Sequence, residues 1–179
     1  MDTSKSSFDV IRLLGPLRRY ARSLAKDGIE AEDLVQDALV RAYERRFSFR
    51  SDGNLRAWLF SILHNTFVDG TRSRSSEVAR LKSVTETTSE VLEAPQDHVV
   101  RLAQIRAAFL ELPEEQRAAL HLVSIEEMSY QEAAASLGIP VGTLMSRIGR
   151  ARAALRNFER NEDTTRSLKI VGGRDVTRT

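Results

Sequence analysis

SYQEAAASLGIPVGTLMSRIGRARAALRNF, residues 129–158, decides the fold. Tyr130 to Leu137 reads as a short helix with Ala133, Ala134 and Leu137 at i, i+1 and i+4, small enough for a second helix to pack closely. Gly138 follows where a helix needs a left-handed C-terminal residue, and Pro140 stops that helix and permits a new start. In the second helix Leu144, Ile148, Ala151 and Leu155 form one apolar stripe. Thr143, Ser146, Arg147 and Arg150 share another face. From Gly142 to Phe158 there are arginines at 147, 150, 152 and 156 and no acid. A helix-turn-helix with an acid-free, arginine-bearing second helix suits major-groove reading. The plainer reading is an amphipathic hairpin with a solvated basic face.

Working outward, the chain has 179 residues, 41% of them hydrophobic, enough for one domain or two small ones. It has no cysteine, which excludes disulfides and thiolate metal sites and fits a reducing compartment. The three histidines (64, 98 and 121) lack ligand spacing, so neither metal nor cofactor is expected. No apolar run is long enough to cross a bilayer and no signal-peptide pattern opens the chain, so no membrane insertion and a cytoplasmic location are expected. The net charge is only +2, but it is segregated: 101–140 carries three arginines and six acids, whereas 142–158 carries arginines alone.

Strand-like alternation is nearly absent, and the chain reads as all-α. Helices are expected over Phe8–Lys26, interrupted near Gly15-Pro16; over Glu30–Arg46, with Leu34, Ala38 and Ala42 inward; and over Asn54–Thr71. A loop with Phe47, Phe49, Arg50 and turn residues separates the last two. Further helices are expected over Asp97–Leu112 and from Pro113 to Glu126, where proline and two acids mark a helix start. The fold class is therefore two small helical domains joined by a flexible linker: 1–72, a Ser/Thr- and charge-rich linker over 73–96, the helix-turn-helix domain over 97–160, and a mobile tail over 161–179.

Asp33, Gln36, Asp37 and Val40 fall on one side of the second helix, away from its apolar stripe. An acidic face is ordinarily just solvated, but an apolar residue in its middle also suits docking against another helix. The aromatics divide similarly: Trp58 reads as core, whereas Phe47 and Phe49 sit in a loop beside arginines and amides that can stack on unpaired bases. Asn65, Asp69 and Arg72 align on the third helix as either a structural ion pair of the last two or a strand-binding edge. No phosphate-cradling glycine loop, nucleophile elbow or metal-spaced cluster appears, so no enzyme is expected.

With these residues in place, the chain resembles the extracytoplasmic-function (ECF) sigma factors of bacterial RNA polymerase. AEDLVQDALVRAY (31–43) looks like the polymerase-clamp-binding helix of that family. NLRAWLFSILHNTFVDGTRSR (54–74) carries its W-L-x-x-I-x-x-N-x-x-x-D-x-x-R pattern, and residues 112–155 resemble its region 4 nearly end to end. The resemblance implies that Asp33, Gln36, Asp37 and Val40 contact core polymerase. It implies that Phe47, Phe49, Arg50, Asn54, His64, Asn65 and Arg72 hold the minus-10 promoter element with one base extruded. Thr143, Met145, Ser146, Arg147, Gly149, Arg150 and Arg152 would read the minus-35 element. It further implies promoter DNA, double- and single-stranded, and a separate anti-sigma factor as partners, and a place in a stress response. Two other readings stand beside it: a plain helix-turn-helix transcription regulator, and a sigma-like mimic that titrates an anti-sigma factor.

Overall fold

A computed structural model of the chain describes residues 10–25, 27–50, 53–78 and 97–169. Among these residues the regular structure is helical. A 3-10 turn, Ile11–Leu13, leads into α1 (Leu14–Ala25), followed by α2 (Gly28–Glu44), a second 3-10 turn at Arg46–Ser48, and α3 (Leu55–Val78). The remaining helices are α4 (Asp97–Glu111), α5 (Glu114–Ser124), α6 (Tyr130–Leu137) and α7 (Val141–Lys169).

Local chemistry sets the boundaries. Asp27 caps α2 by accepting the Glu30 N–H at 3.1 Å. Ser129 and Glu132 close a reciprocal capping box on α6. At the other end of α6, Gly138 adopts φ 64, and the Gly138 and Ile139 N–H groups return to Ala135 and Ala134, the double bond that satisfies a helix's last carbonyls. A residue with a Cβ would be strained at that φ. Pro113 precedes α5, with Glu114 and Glu115 in the first turn at the positive end of its dipole.

Three expected boundaries are corrected. Gly15-Pro16 does not interrupt a helix; both lie in the first turn of α1, where the proline's missing N–H costs nothing. α3 runs on to Val78, so the first residues assigned to the linker continue the helix, while 79–96 lie outside the described residues. α7 continues to Lys169, so helix replaces the expected tail over 161–169, and 170–179 lie outside the described residues.

The core is continuous across the two halves. Leu17, Tyr20 and Leu24 of α1, Leu34 and Ala38 of α2, and Leu59, Phe60 and Leu63 of α3 are buried together with Leu122 of α5, Ala133 and Leu137 of α6, and Leu144 and Ile148 of α7. α1 packs on α5 and α3 on α6. The Tyr20 ring lies 5.3 Å from Phe60 in its own half and 5.2 Å from His121 in the other. The two helical blocks therefore share one interior.

Candidate nucleic-acid interface

α2 presents two faces. Ala31, Leu34, Val35, Ala38 and Ala42 are buried; Val35 joins the core because it falls a turn from both Ala31 and Ala38. On the opposite side Asp33, Gln36 and Asp37 are exposed beside Ile29, Val40 and Tyr43, which are 76%, 58% and 62% exposed. Apolar side chains that open to water, interleaved with acids along one helix face, have the chemistry to receive a partner helix. Asp33 and Asp37 also border a groove of about 250 Å³ between α2 and α3, floored by Leu34, Phe67 and Gly70.

The segment after α2 separates the two phenylalanines. Phe47 is 86% exposed, with the Arg46 guanidinium 4.2 Å from its ring. Phe49 is half-buried and lies 5.2 Å from the Trp58 ring. Gly53 lets the chain fold back on it: a Cβ there would come within 3.3 Å of the Phe49 ring and 3.0 Å of the Arg50 carbonyl. Arg50, Asn54, Asn65 and Arg72 are exposed. His64 is not. It is buried in α3, its Nδ1 is 3.1 Å from the Tyr20 hydroxyl, and burial pushes its pKa down to about 4. Its expected role at an extruded base is therefore withdrawn in favour of a neutral core imidazole. Asp69 pairs with Arg41 of α2 at 3.0 Å, which ties the two helices.

On α7 the stripe Leu144, Ile148 and Ala151 is buried and Leu155 partly so. Thr143, Met145, Ser146, Gly149, Arg150 and Arg152 are exposed and occupy the arc opposite that stripe. Arg147 is less free: its guanidinium is 2.7 Å from the Glu115 carboxylate of α5. Gly149 has nothing within 4 Å of where a Cβ would stand, so no packing within the chain requires a glycine there.

Comparison with known proteins agrees with this geometry. Residues 10–77 match Sigma-70 region 2, and residues 102–155 match Sigma-70, region 4. The ECF RNA polymerase sigma factor EcfG of Rhodopseudomonas palustris (strain TIE-1) is 40% identical over 147 residues, which cover 82% of this chain and 81% of EcfG. The chain belongs to the ECF sigma factors. Among solved structures, the sigma factor RpoE of Bartonella quintana, in complex with the anti-sigma factor NepR, is similar with a TM-score of 0.74 and 36% identity over 84% of this chain and 94% of that one. CnrH, in complex with the cytosolic domain of CnrY, is similar with a TM-score of 0.61 and 30% identity over 85% of each chain.

Several residues that organise this sigma factor stand outside the sequence expectations. Arg117 of α5 is 3% exposed, and its guanidinium donates to the Ser23 and Leu24 carbonyls of α1 and to the Leu110 and Leu112 carbonyls at the end of α4. One cation thus satisfies orphan carbonyls at the negative ends of two helices; its burial lowers its pKa, while Glu114 and Glu111 oppose that. Glu126, between α5 and α6, has a fully enclosed side chain that meets Arg56 of α3 at 2.7 Å and Arg19 of α1 at 3.1 Å. His121 Nε2 stands 3.4 Å from the same carboxylate, yet burial outweighs that attraction and lowers its pKa to about 4. Asn54 donates to Glu132 at 2.6 Å, and the Ser136 hydroxyl donates to the Ala57 carbonyl at 3.1 Å. Hydrogen bonds from Ser129, then Asn54, hold the Glu132 carboxyl below the usual carboxylate range. The available signal was an arginine inside an apolar helix run (RAALHL, 117–122).

Proposed function

We propose that this sigma factor directs core RNA polymerase to a set of promoters through three surfaces divided between its blocks. The outer face of α2, with Asp33, Gln36, Asp37 and Val40, docks on core polymerase. The segment from Phe47 to Asn54, with Asn65 and Arg72 of α3, takes the melted minus-10 strand; Phe47 supplies the stacking face, and Phe49 shapes the loop against Trp58. The exposed arc of α7, with Thr143, Met145, Ser146, Gly149, Arg150 and Arg152, reads the minus-35 duplex together with the half-buried Arg147 at its edge. The chain acts by binding, without catalysis of its own, in the cytoplasm where polymerase works. A separate anti-sigma factor restrains it, as NepR is bound to the related RpoE, and its promoters serve a stress response.

The observation that carries this reading is the pairing of unburied α2 and α7 surfaces in one chain. A helix-turn-helix regulator needs the second and has no use for Ile29, Val40 and Tyr43 open to water beside acids. Open-complex formation tests the proposal. With core polymerase and a cognate promoter, addition of the chain should make thymines near the start site reactive to permanganate. Thymines that stay protected at saturating protein would reject it.

A further inference from the structure

Arg147 stands where the exposed arc of α7 meets its buried stripe. Ile148 beside it is core, while Ser146 and Arg150 open to water. The Arg147 side chain is 22% exposed, and its Nη2 donates to the Glu115 carboxylate at 2.7 Å. Glu115 lies in the first turn of α5, where the helix dipole and the unpaired N–H groups favour a carboxylate. One helix end thus holds the acid, and the acid holds the arginine. α5 and α7 pack on one another within the helix-turn-helix block, so both partners of the pair are fixed by that block alone.

Such a pair either withdraws an arginine from DNA or fixes it for DNA, and the chemistry favours fixing. Glu115 engages one end of the guanidinium fork and leaves most of its N–H donors for another acceptor. A loose arginine must give up its rotamer freedom on binding, which weakens its contact by about two- to tenfold; the short, charge-assisted bond to Glu115 removes that freedom beforehand. A loose guanidinium also settles readily on phosphate, a contact that carries no sequence information. A carboxylate at its outer edge repels phosphates on that side and keeps the fork turned toward the base edges.

We propose that Glu115 is a positioning residue for minus-35 recognition. It holds Arg147 so that the remaining N–H groups meet O6 and N7 of one guanine, the commonest specific arginine contact in the major groove. One position of the element therefore prefers a G·C pair, and Glu115 sets how strongly, without touching DNA itself. The inference rests on the reading above, in which the α7 arc enters the minus-35 duplex.

The test uses holoenzyme, this chain with core polymerase, and a promoter library randomised over the minus-35 element, with the bound DNA sequenced. Wild type should prefer guanine at one position, and R147A should flatten that position. E115A should lower the same preference about fivefold and leave the other positions intact. E115Q loses the charge but keeps an acceptor for the Arg147 N–H, and should recover most of the preference. In the R147A background, E115A should change nothing at that position. Loss of an acid near DNA strengthens binding to every sequence in E115A and E115Q alike, so base preference, not affinity, decides. Glu115 is half-exposed, and both variants should keep the wild-type thermal midpoint to within a few degrees. An E115A library with unchanged or sharpened guanine preference overturns the proposal, as does an E115A effect that persists without Arg147. Either result would leave minus-35 reading by α7 intact, whereas a wild-type library with no minus-35 preference would remove that reading and this inference with it.

Discussion

Replacing Arg117 with methionine keeps the apolar stem and removes the guanidinium. Four carbonyls then lose their donor: Ser23, Leu24, Leu110 and Leu112. An unpaired buried acceptor costs about 1–3 kcal/mol, so the gross loss over four is roughly 4–12 kcal/mol. Two effects reduce it: the desolvation of the guanidinium is recovered, and water can reach the part-buried Leu110 carbonyl. A net loss of about 3 kcal/mol remains, a large part of the 5–15 kcal/mol typical of a domain. With a urea slope near 2 kcal/mol/M this lowers the unfolding midpoint by about 1.5 M. R152M is the control, because Arg152 is exposed on α7 and such changes usually stay within about 0.5 kcal/mol. A loss below about 1 kcal/mol in R117M, or an equal loss in both variants, would refute the view that one buried cation closes two helix ends.

Reversing charge in D33K/D37K should abolish co-elution with core polymerase and leave the thermal midpoint within a few degrees, because both side chains face outward. Arg150→Ala should cost about 1–3 kcal/mol at one base position of the minus-35 element, whereas Arg152→Ala should weaken all sequences alike, as read by competition binding. Gly149→Ala should stabilise the free chain by up to about 1 kcal/mol, since nothing packs there, while weakening minus-35 binding. His64 and His121 are held neutral, with pKa values of about 4 against an ordinary 6.5. An unfolded chain takes up their protons first, so the stability they contribute is complete above pH 6.5 and is lost as pH falls toward 4. Their ring C2 protons should therefore show no NMR titration step between pH 8 and 5.

The sequence spoke clearly wherever periodicity and local punctuation agreed. The α7 stripe and the Gly138 turn are short-range chemistry, and each stands in the fold as read. The outer face of α2 was legible for the same reason. Val35 escaped because its burial depends on the breadth of the α2 contact with its neighbours, and His64 because a polar residue on an apolar helix face is ambiguous until Tyr20 is brought beside it. The contact between the blocks was invisible. Arg19 and Glu126 are 107 positions apart, and no local pattern marks a glutamate for burial. The tail and linker ends were misread because a polar stretch can extend an existing helix without any apolar periodicity of its own.

Run-off transcription tests the central claim most directly. Purified core polymerase should be inactive on a library of promoters from the source genome, and adding this chain should produce defined transcripts from a small subset. D33K/D37K should produce none. Transcripts that appear equally with core polymerase alone, or none from any promoter with the wild-type chain, would contradict the account.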